Sequence, residues 1–304
     1  MRGSPPARQS RNPASNKMTR AALWPSILFG LAIPARAQPQ FPTAIPQTHF
    51  NSGQDVVPSF DGWLRNADGT YTFVFGYMNR NYKEELVIPA GPDNKVEPGS
   101  ALDQGQPTYF LPRRHAWVFK VTVPADWGQK ELVWTITAHG KTEKAYASLQ
   151  MEEEIIPRLI MSRGGLSPGL DDPNKPPSVS VEPVASASVA NPVTLNAVVN
   201  DDGLPKPRVQ KVRAEVAPGK AQTNTAGGRP RSGLRVSWYQ YRGPAKVTFD
   251  PAEPVRVGTP GEPVANGKAV TTAHFTQPGT YVLRATVDDG ALATTADVAI
   301  TVAH

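Results

Sequence analysis

Two short acidic motifs have the residue types and the spacing of a metal site. Asp201 and Asp202 end one alternating apolar segment, Asp288 and Asp289 end another, and a glycine follows each pair. In a β-sandwich, loops after two such strands lie at the same pole, and carboxylate oxygens suit calcium. We predict no cofactor from the sequence, and calcium is the one candidate that these four aspartates offer. The alternative is that each Asp–Gly pair only makes a turn, because Asp bonds its own backbone and Gly accepts positive φ.

A second polar group lies in and near a long connection, from about Pro89 to Arg114. Amides, carboxylates and aromatic rings suit the hydroxyls and ring faces of sugars, and long loops on rigid sheets often carry binding sites. The same residue types also cap turns and hold a loop to its own sandwich. The candidate ligand-binding residues are Arg80, Tyr82, Asp93, Asn94, Asp103, Tyr109, Arg113, Arg114 and Trp127.

The tryptophans divide by their local pattern. Trp127 lies in the turn-like segment Pro-Ala-Asp-Trp-Gly and is predicted to be the exposed one. Trp63, Trp117, Trp134 and Trp238 fall on strand patterns and are predicted to fill the core.

Basic residues dominate the segment 205–233, which holds seven Lys and Arg against the single acid Glu215. Such a segment is able to dock an anionic envelope polymer or an acidic partner. The alternative is a solvated basic loop without a partner.

Catalytic motifs are weak in this chain. The string Gly165-Leu-Ser-Pro-Gly169 matches the nucleophile turn of hydrolases, but Pro168 lacks the N–H that this turn needs, and no strand or helix flanks it. The five His residues form no His-x-x-x-His zinc pair. We therefore predict that the protein is not an enzyme. A carboxylate pair of a glycosidase is not visible from spacing, so a carbohydrate-active enzyme stays an alternative.

The elements that position these residues are predicted to be strands. Apolar residues alternate in the segments 70–78, 116–123, 131–138 and 141–149, with Gly-containing turns between them. The same alternation marks 193–200, 234–241, 269–275, 280–289 and 295–302. Only a short helical turn near 151–155 is predicted.

The last segments resemble the Ig-like and PKD-like domains of bacterial extracellular proteins. The resemblance rests on VNDDGLP, SWYQYRGPAKVTFD and FTQPGTYVLRATVDDGALATTADVAITV, within about residues 178–304. It implies a β-sandwich used for spacing, adhesion or assembly. Leu195, Trp238 and Leu283 take the places of the Cys–Trp–Cys core of antibody domains, and Tyr281 takes that of the tyrosine corner.

The N-terminus predicts export. Arg20 precedes the apolar run 21–34, and Ala35-Arg36-Ala37 fits a signal-peptidase site. Met18 is an alternative start, and a retained anchor is the alternative to cleavage. The chain has 32 basic and 26 acidic residues, and six of the bases lie within 1–37, so the remainder carries 26 of each. A neutral remainder argues against nucleic acid as a partner, and it holds no transmembrane segment by its hydropathy.

The sequence thus predicts an all-β protein: two antiparallel, immunoglobulin-like β-sandwich domains in tandem after a signal peptide. The predicted parts are the leader 1–37, an extended Pro-rich arm 38–58, an N-terminal sandwich 59–160, a linker 161–177, and a second sandwich 178–304 with the basic insertion 205–233. We predict a periplasmic or secreted, non-catalytic protein that binds or scaffolds at the cell envelope, with a glycan or protein partner. The alternatives are a carbohydrate-active enzyme or its accessory glycan module, and a structural subunit of a surface assembly to which the arm adds a strand.

Overall fold

Strands make up almost all of the regular structure, as the alternation of apolar and polar residues predicts. The computed structural model describes residues 48–99, 101–165, 169–184, 187–207 and 233–304. The leader, residues 38–47 of the arm, most of the basic insertion and the centre of the hydrolase-like string therefore lie outside the described residues. Within the described ranges, no helix is long and apolar enough to cross a membrane.

The first sandwich contains two antiparallel three-stranded sheets and a short two-stranded one. Its strands are β1 (Val56–Arg65), β2 (Tyr71–Asn79), β3 (Leu86–Val87), β4 (Asn94–Glu97), β5 (Tyr109–Phe110), β6 (Arg113–Val123), β7 (Leu132–Ala138) and β8 (Lys141–Ala147). The sheet orders are β1–β2–β6, β4–β7–β8 and β3–β5. The long connection that we predict as loop thus contains β4 and β5, and residues 56–58 of the predicted arm pair with β2.

One aromatic core fills this sandwich. Phe73, Phe75 and Trp134 are fully buried, and the Phe75 and Trp134 ring centroids lie 5.9 Å apart in an edge-on arrangement. Trp63 is also buried and donates its indole N–H to the Gln150 carbonyl at 2.7 Å. Trp63 and Trp134 are therefore core residues, as their strand pattern predicts.

Two short helical turns follow β8. A 3-10 turn at Met151–Glu153 lies where a helical turn is predicted. The single-turn helix α1 (Pro157–Met161) comes next, and Pro157 suits its first position because the N–H that proline lacks has no partner there.

The second sandwich has the strand order of an immunoglobulin fold. Its strands are β9 (Ser178–Val181), β10 (Ala187–Ser188), β11 (Val193–Asp201), β12 (Arg235–Arg242), β13 (Val247–Asp250), β14 (Val255–Arg256), β15 (Val264–Phe275), β16 (Gly279–Asp288) and β17 (Ala293–Ala303). The sheets run β13–β15–β11–β9 and β10–β17–β16–β12–β14. These orders correspond to the D–E–B–A and G–F–C sheets of immunoglobulin domains. The first strand changes sheet, because β9 pairs antiparallel with β11 and β10 pairs parallel with β17.

The centre of this sandwich replaces a disulfide with apolar packing. Leu195 and Leu283 are fully buried in one cluster, and the partly buried Trp238 packs against it. Tyr281 is buried and donates its hydroxyl to the Gln277 carbonyl at 2.8 Å, four residues upstream. This is the tyrosine corner that the sequence predicts. Both sandwiches belong to one compact unit, Thr48–His304, and the domain boundaries stay predictions.

Candidate functional site

A groove between the two sandwiches has a volume of about 600 Å³. Its floor is the outer face of the β10–β17–β16–β12–β14 sheet. Along β16, Leu283 and Ala285 point into the core, so Arg284 and Thr286 point outward into the groove. Thr295 and Asp297 of β17 reach the same face.

The opposite wall is built by an irregular stretch of β6. Phe75 pairs with Phe119 and Tyr77 pairs with His115, so three residues of β6 oppose one residue of β2. At the centre of this bulge Trp117 has a φ of 53°, a left-handed backbone that is uncommon outside glycine. The bulge takes Trp117 out of the alternation and turns it away from the core and into the groove. The prediction that Trp117 is a core residue is therefore wrong.

Two contacts hold Trp117 in this conformation. Its backbone N–H donates to the buried carboxylate of Asp61 at 2.8 Å, and Asp61 also accepts from Arg114 at 2.6 Å. The far edge of the indole lies against Gly164, where an added Cβ would come within 2.9 Å of the ring. The absence of a side chain at Gly164 therefore leaves room for the indole. Pro157, Ile160 and neighbouring residues form the third wall of the groove.

Arg284 is the central polar residue of the groove. Its guanidinium binds Asp297 through two hydrogen bonds of 2.6 and 2.7 Å, and donates a third, of 2.7 Å, to the Val118 carbonyl of the first sandwich. It also lies 4.0 Å from the ring centroid of Tyr241, a cation–π contact. The guanidinium of Arg284 therefore bonds to both sandwiches at once, and these bonds hold the two walls of the groove at a fixed distance.

Lys120 is the cation of the groove that lacks a carboxylate partner. In the part of the chain that the structure describes, no carboxylate lies within 4.0 Å of its ammonium group. Partial burial lowers the pKa of Lys120, and the nearby charge of Arg284 lowers it further. Arg163, which also lines the groove, is neutralised by Asp288 at 2.6 Å. A bound anion beside Lys120 would therefore supply the opposite charge that the described residues do not provide.

Further polar contacts beside the groove join the two sandwiches. The Tyr241 hydroxyl donates to the Gly105 carbonyl at 2.7 Å, and the backbone N–H of Gly243 donates to the Thr108 hydroxyl at 3.1 Å. Arg242 pairs with Asp103 at 2.6 Å. Asp103, which we predict as a ligand-binding residue, is thus engaged in a contact between the sandwiches.

The structure brings three of the predicted site residues together elsewhere. Arg113 lies with its guanidinium 4.0 Å from the centroid of the Tyr82 ring and donates to the Arg80 carbonyl at 3.4 Å. Arg80 itself pairs with the buried Asp55 at 3.5 Å. Tyr82 remains exposed. This exposed cluster lies outside the groove.

Three other predicted site residues, Asn94, Tyr109 and Trp127, are buried and serve the fold, so none of them offers an open surface to a ligand. Asn94 donates to the carbonyls of Ile88 and Pro107 and accepts from the indole of Trp134. Tyr109 is 4% exposed and donates to Glu85.

Trp127 is buried as well, contrary to the prediction that it is the exposed tryptophan. It is 8% exposed, and its ring meets Phe73 edge-on at 5.9 Å. The turn that contains it folds back over the end of the aromatic core.

Two predicted site residues remain, and neither reaches the groove. Arg114 is exposed but holds Asp61 in place, as described above. Asp93 is exposed, and its backbone carbonyl accepts from Thr137.

The acidic motifs form turns at one pole of the second sandwich. Asp201, Asp202 and Asp288 each accept from the backbone N–H two residues ahead, and Asp289 accepts from Ala291 and Leu292. This is the geometry of the turn alternative.

The two acidic pairs nevertheless approach each other at that pole. Burial raises the pKa of Asp201 to about 6, and the carboxylates of Asp289 and Asp202 act in the same direction. One oxygen of Asp201 is buried without a hydrogen-bond partner among the described residues. No group of three or more described His, Cys, Asp or Glu side chains is arranged to hold a metal. Calcium binding stays a prediction.

Sequence reasoning did not select the groove residues. Lys120, Tyr239 and Arg284 are polar or aromatic side chains at the solvent-facing positions of strands, which is an ordinary pattern for a half-exposed sheet. The available signal was that one face of β12 carries two tyrosines, Tyr239 and Tyr241, opposite an arginine on the next strand.

No protein-family model matches the chain, and no curated protein matches it. Solved structures match it in part. A conjugative transposon lipoprotein from Bacteroides eggerthii DSM 20697 is 11% identical, over 42% of this chain and 98% of the other, with a TM-score of 0.24.

Two further solved structures match most of the chain. The D00-D0 domain of Intimin is 10% identical, over 82% of this chain and all of the other, with a TM-score of 0.25. The N-terminal eight Ig domains of Down Syndrome Cell Adhesion Molecule are 9% identical, over 82% of this chain and 27% of the other, with a TM-score of 0.24. The immunoglobulin topology described above rests on the strand order of this chain itself.

Proposed function

We propose that the chain is a non-catalytic binding protein of the cell envelope or exterior, and that its ligand occupies the groove between the two sandwiches. The observation that carries the proposal is Lys120, a cation without a carboxylate partner, which lines a cavity together with Trp117 and Tyr239. Cavities at the junction of two folded parts, with a few convergent polar groups, are the usual place of ligand sites. The proposal of export rests on the predicted leader 1–37. We also propose that residues 178–304 resemble PKD-like modules in particular, and not only immunoglobulin-like domains in general.

The rigidity of the groove supports a binding role. Arg284 joins Asp297 of the second sandwich to the Val118 carbonyl of the first, and Tyr241 and Arg242 make further bonds between the two. Walls held in this way lose little conformational freedom when a ligand enters, which favours affinity.

The experiment is co-sedimentation of residues 38–304 with envelope fractions of the source cell. Thr295→Trp places a large ring in the groove from an exposed position of β17. Thr301→Trp is its matched control, because Thr301 is exposed on the same strand and does not line the groove. We expect Thr295→Trp to lower the bound fraction at least about tenfold, and Thr301→Trp to leave it unchanged.

Equal binding by both variants would overturn the assignment of the groove. Release of reducing sugar from the bound fraction by the wild-type protein would instead support the carbohydrate-active enzyme. The same samples serve for both readouts.

A further inference from the structure

The charges around the groove select the kind of ligand. Its lining carries three cations, Lys120, Arg163 and Arg284, against one carboxylate, Asp297. Arg284 is paired with Asp297, and Arg163 is paired with Asp288 just outside the lining. The charge that remains is that of Lys120, so the complementary ligand is an anion.

The aromatic and hydroxyl groups of the lining suit a sugar ring. Trp117 and Tyr239 are both partly exposed in the groove, where they offer apolar ring surface. Thr286 and Thr295 line the same cavity and present hydroxyls that both donate and accept hydrogen bonds. Sugars offer apolar ring faces and many hydroxyls, and a charged sugar adds the anion.

An acidic peptide fits the same groove less well. A bound peptide usually adds a strand to an open sheet edge, and β6 is an edge strand of its sheet. That edge is interrupted where it borders the groove. The Val118 carbonyl already accepts a hydrogen bond from Arg284, and the backbone N–H of Trp117 already donates to Asp61, so neither group is open to a peptide strand. The left-handed backbone of Trp117 also breaks the extended conformation that strand pairing requires.

We propose that the groove binds an anionic polysaccharide, whose carboxylate or sulfate group pairs with Lys120 while a sugar ring packs against Trp117 and Tyr239. This inference rests on the proposed function, because it names the ligand class of the same groove. Lysine suits either anion, since its ammonium is a point charge without the planar fork of arginine.

The test is calorimetric titration of residues 38–304 with three polysaccharides, polygalacturonate, dextran sulfate and neutral dextran, and with polyglutamate as an acidic peptide. Lys120→Gln removes the charge of the groove. Lys268→Gln is the matched control, because Lys268 is an exposed lysine on β15 of the opposite sheet. Both variants keep the basic segment 205–233, so the control shows how much the loss of one exposed positive charge by itself weakens binding of a polyanion. We expect Lys120→Gln to weaken binding of at least one anionic polymer about fivefold, as for an ion pair at a partly exposed site.

The two anionic polymers distinguish a carboxylate ligand from a sulfate ligand. Neutral dextran that binds as tightly as both would overturn the requirement for an anion. Equal weakening by Lys120→Gln and Lys268→Gln would also overturn the proposal, because binding would then follow general charge. Binding of polyglutamate with the same dependence on Lys120 would overturn the sugar class in favour of an acidic peptide.

Failure of this inference is separable from failure of the proposed function. If no anionic polymer binds, the inference is wrong, but Thr295→Trp still reports in the envelope assay whether the groove is a ligand site. If Thr295→Trp binds envelope normally, the proposed function is wrong as well.

Discussion

The groove and the connection Pro89–Arg114 are both rich in polar and aromatic side chains, and they use them in opposite ways. In the connection, Asn94 and Gln106 are fully buried and direct their amides at backbone carbonyls of their own sandwich. In the groove, Lys120 faces solvent and lacks a carboxylate partner among the described residues. The buried amides of the connection thus satisfy backbone carbonyls that would otherwise lack a partner, whereas the ammonium group of Lys120 has no such structural task.

The largest expected effect is on folding, from Asn94→Ala. The substitution leaves the Trp134 indole N–H and two buried carbonyls without their partner, so we expect a loss of about 3 kcal/mol in the free energy of unfolding. Urea denaturation measures it. Asp93→Ala, at the exposed neighbouring position, is the control and should change stability by less than about 0.5 kcal/mol. Equal effects of the two substitutions would remove the structural role assigned to Asn94.

Arg284→Gln tests the groove in the same way, and we expect it to lower the free energy of unfolding by less than Asn94→Ala does. The substitution breaks charged hydrogen bonds to Asp297 and to the Val118 carbonyl, at a cost of about 2 kcal/mol. Because the Val118 bond joins the sandwiches, we expect the wild-type protein to unfold in one calorimetric transition and Arg284→Gln to unfold in a broader or split one. Arg256→Gln, at an exposed arginine of β14, should leave the transition unchanged. An unaltered transition in Arg284→Gln would contradict its role between the sandwiches.

The smallest effect concerns the acidic pole, which lies outside both regions. The pKa of Asp201 in the folded protein is about 6, above its ordinary value of 3.8, so the folded state holds this proton more tightly than the unfolded state does. The contribution of this bound proton to the stability of the folded state is fully present below about pH 4 and is lost as the pH rises through 6.

Asp201→Asn should therefore raise stability at pH 7 by about 1 kcal/mol and flatten its dependence on pH between 4 and 6. Thermal unfolding across that range measures the effect. Asp126→Asn is the control, because Asp126 is an exposed aspartate in the turn between β6 and β7 of the first sandwich, away from the acidic pole. A wild-type stability that rises from pH 4 to 6 with the same slope in Asp201→Asn would contradict the raised pKa.

The strands of the second sandwich were predictable because their core and surface positions alternate locally. The predicted segment 193–200 became β11, Val193–Asp201. The hydroxyl of Tyr281 bonds only four residues upstream, so the tyrosine corner is also visible in a short window of sequence.

The groove was not predictable, because it depends on contacts between distant residues. The Val118 carbonyl and the guanidinium of Arg284 are 166 positions apart in the chain. The orientation of Trp117 depends on a bulge opposite β2 and on a carboxylate from β1, neither of which alters the local alternation. The prediction that Trp127 is exposed was wrong for a similar reason. The residues beside it are typical of a surface turn, but the turn packs the indole onto Phe73.

Hydrogen exchange measured by mass spectrometry tests the central claim most directly, because it compares the two regions in one experiment. Residues 38–304 are exchanged with and without the envelope fraction that they bind. The account predicts ligand-dependent protection at 116–120, 239–241 and 284–297, the segments that line the groove. Protection confined to 80–113 would contradict it, and would place the ligand on the exposed cluster of Arg80, Tyr82 and Arg113 instead.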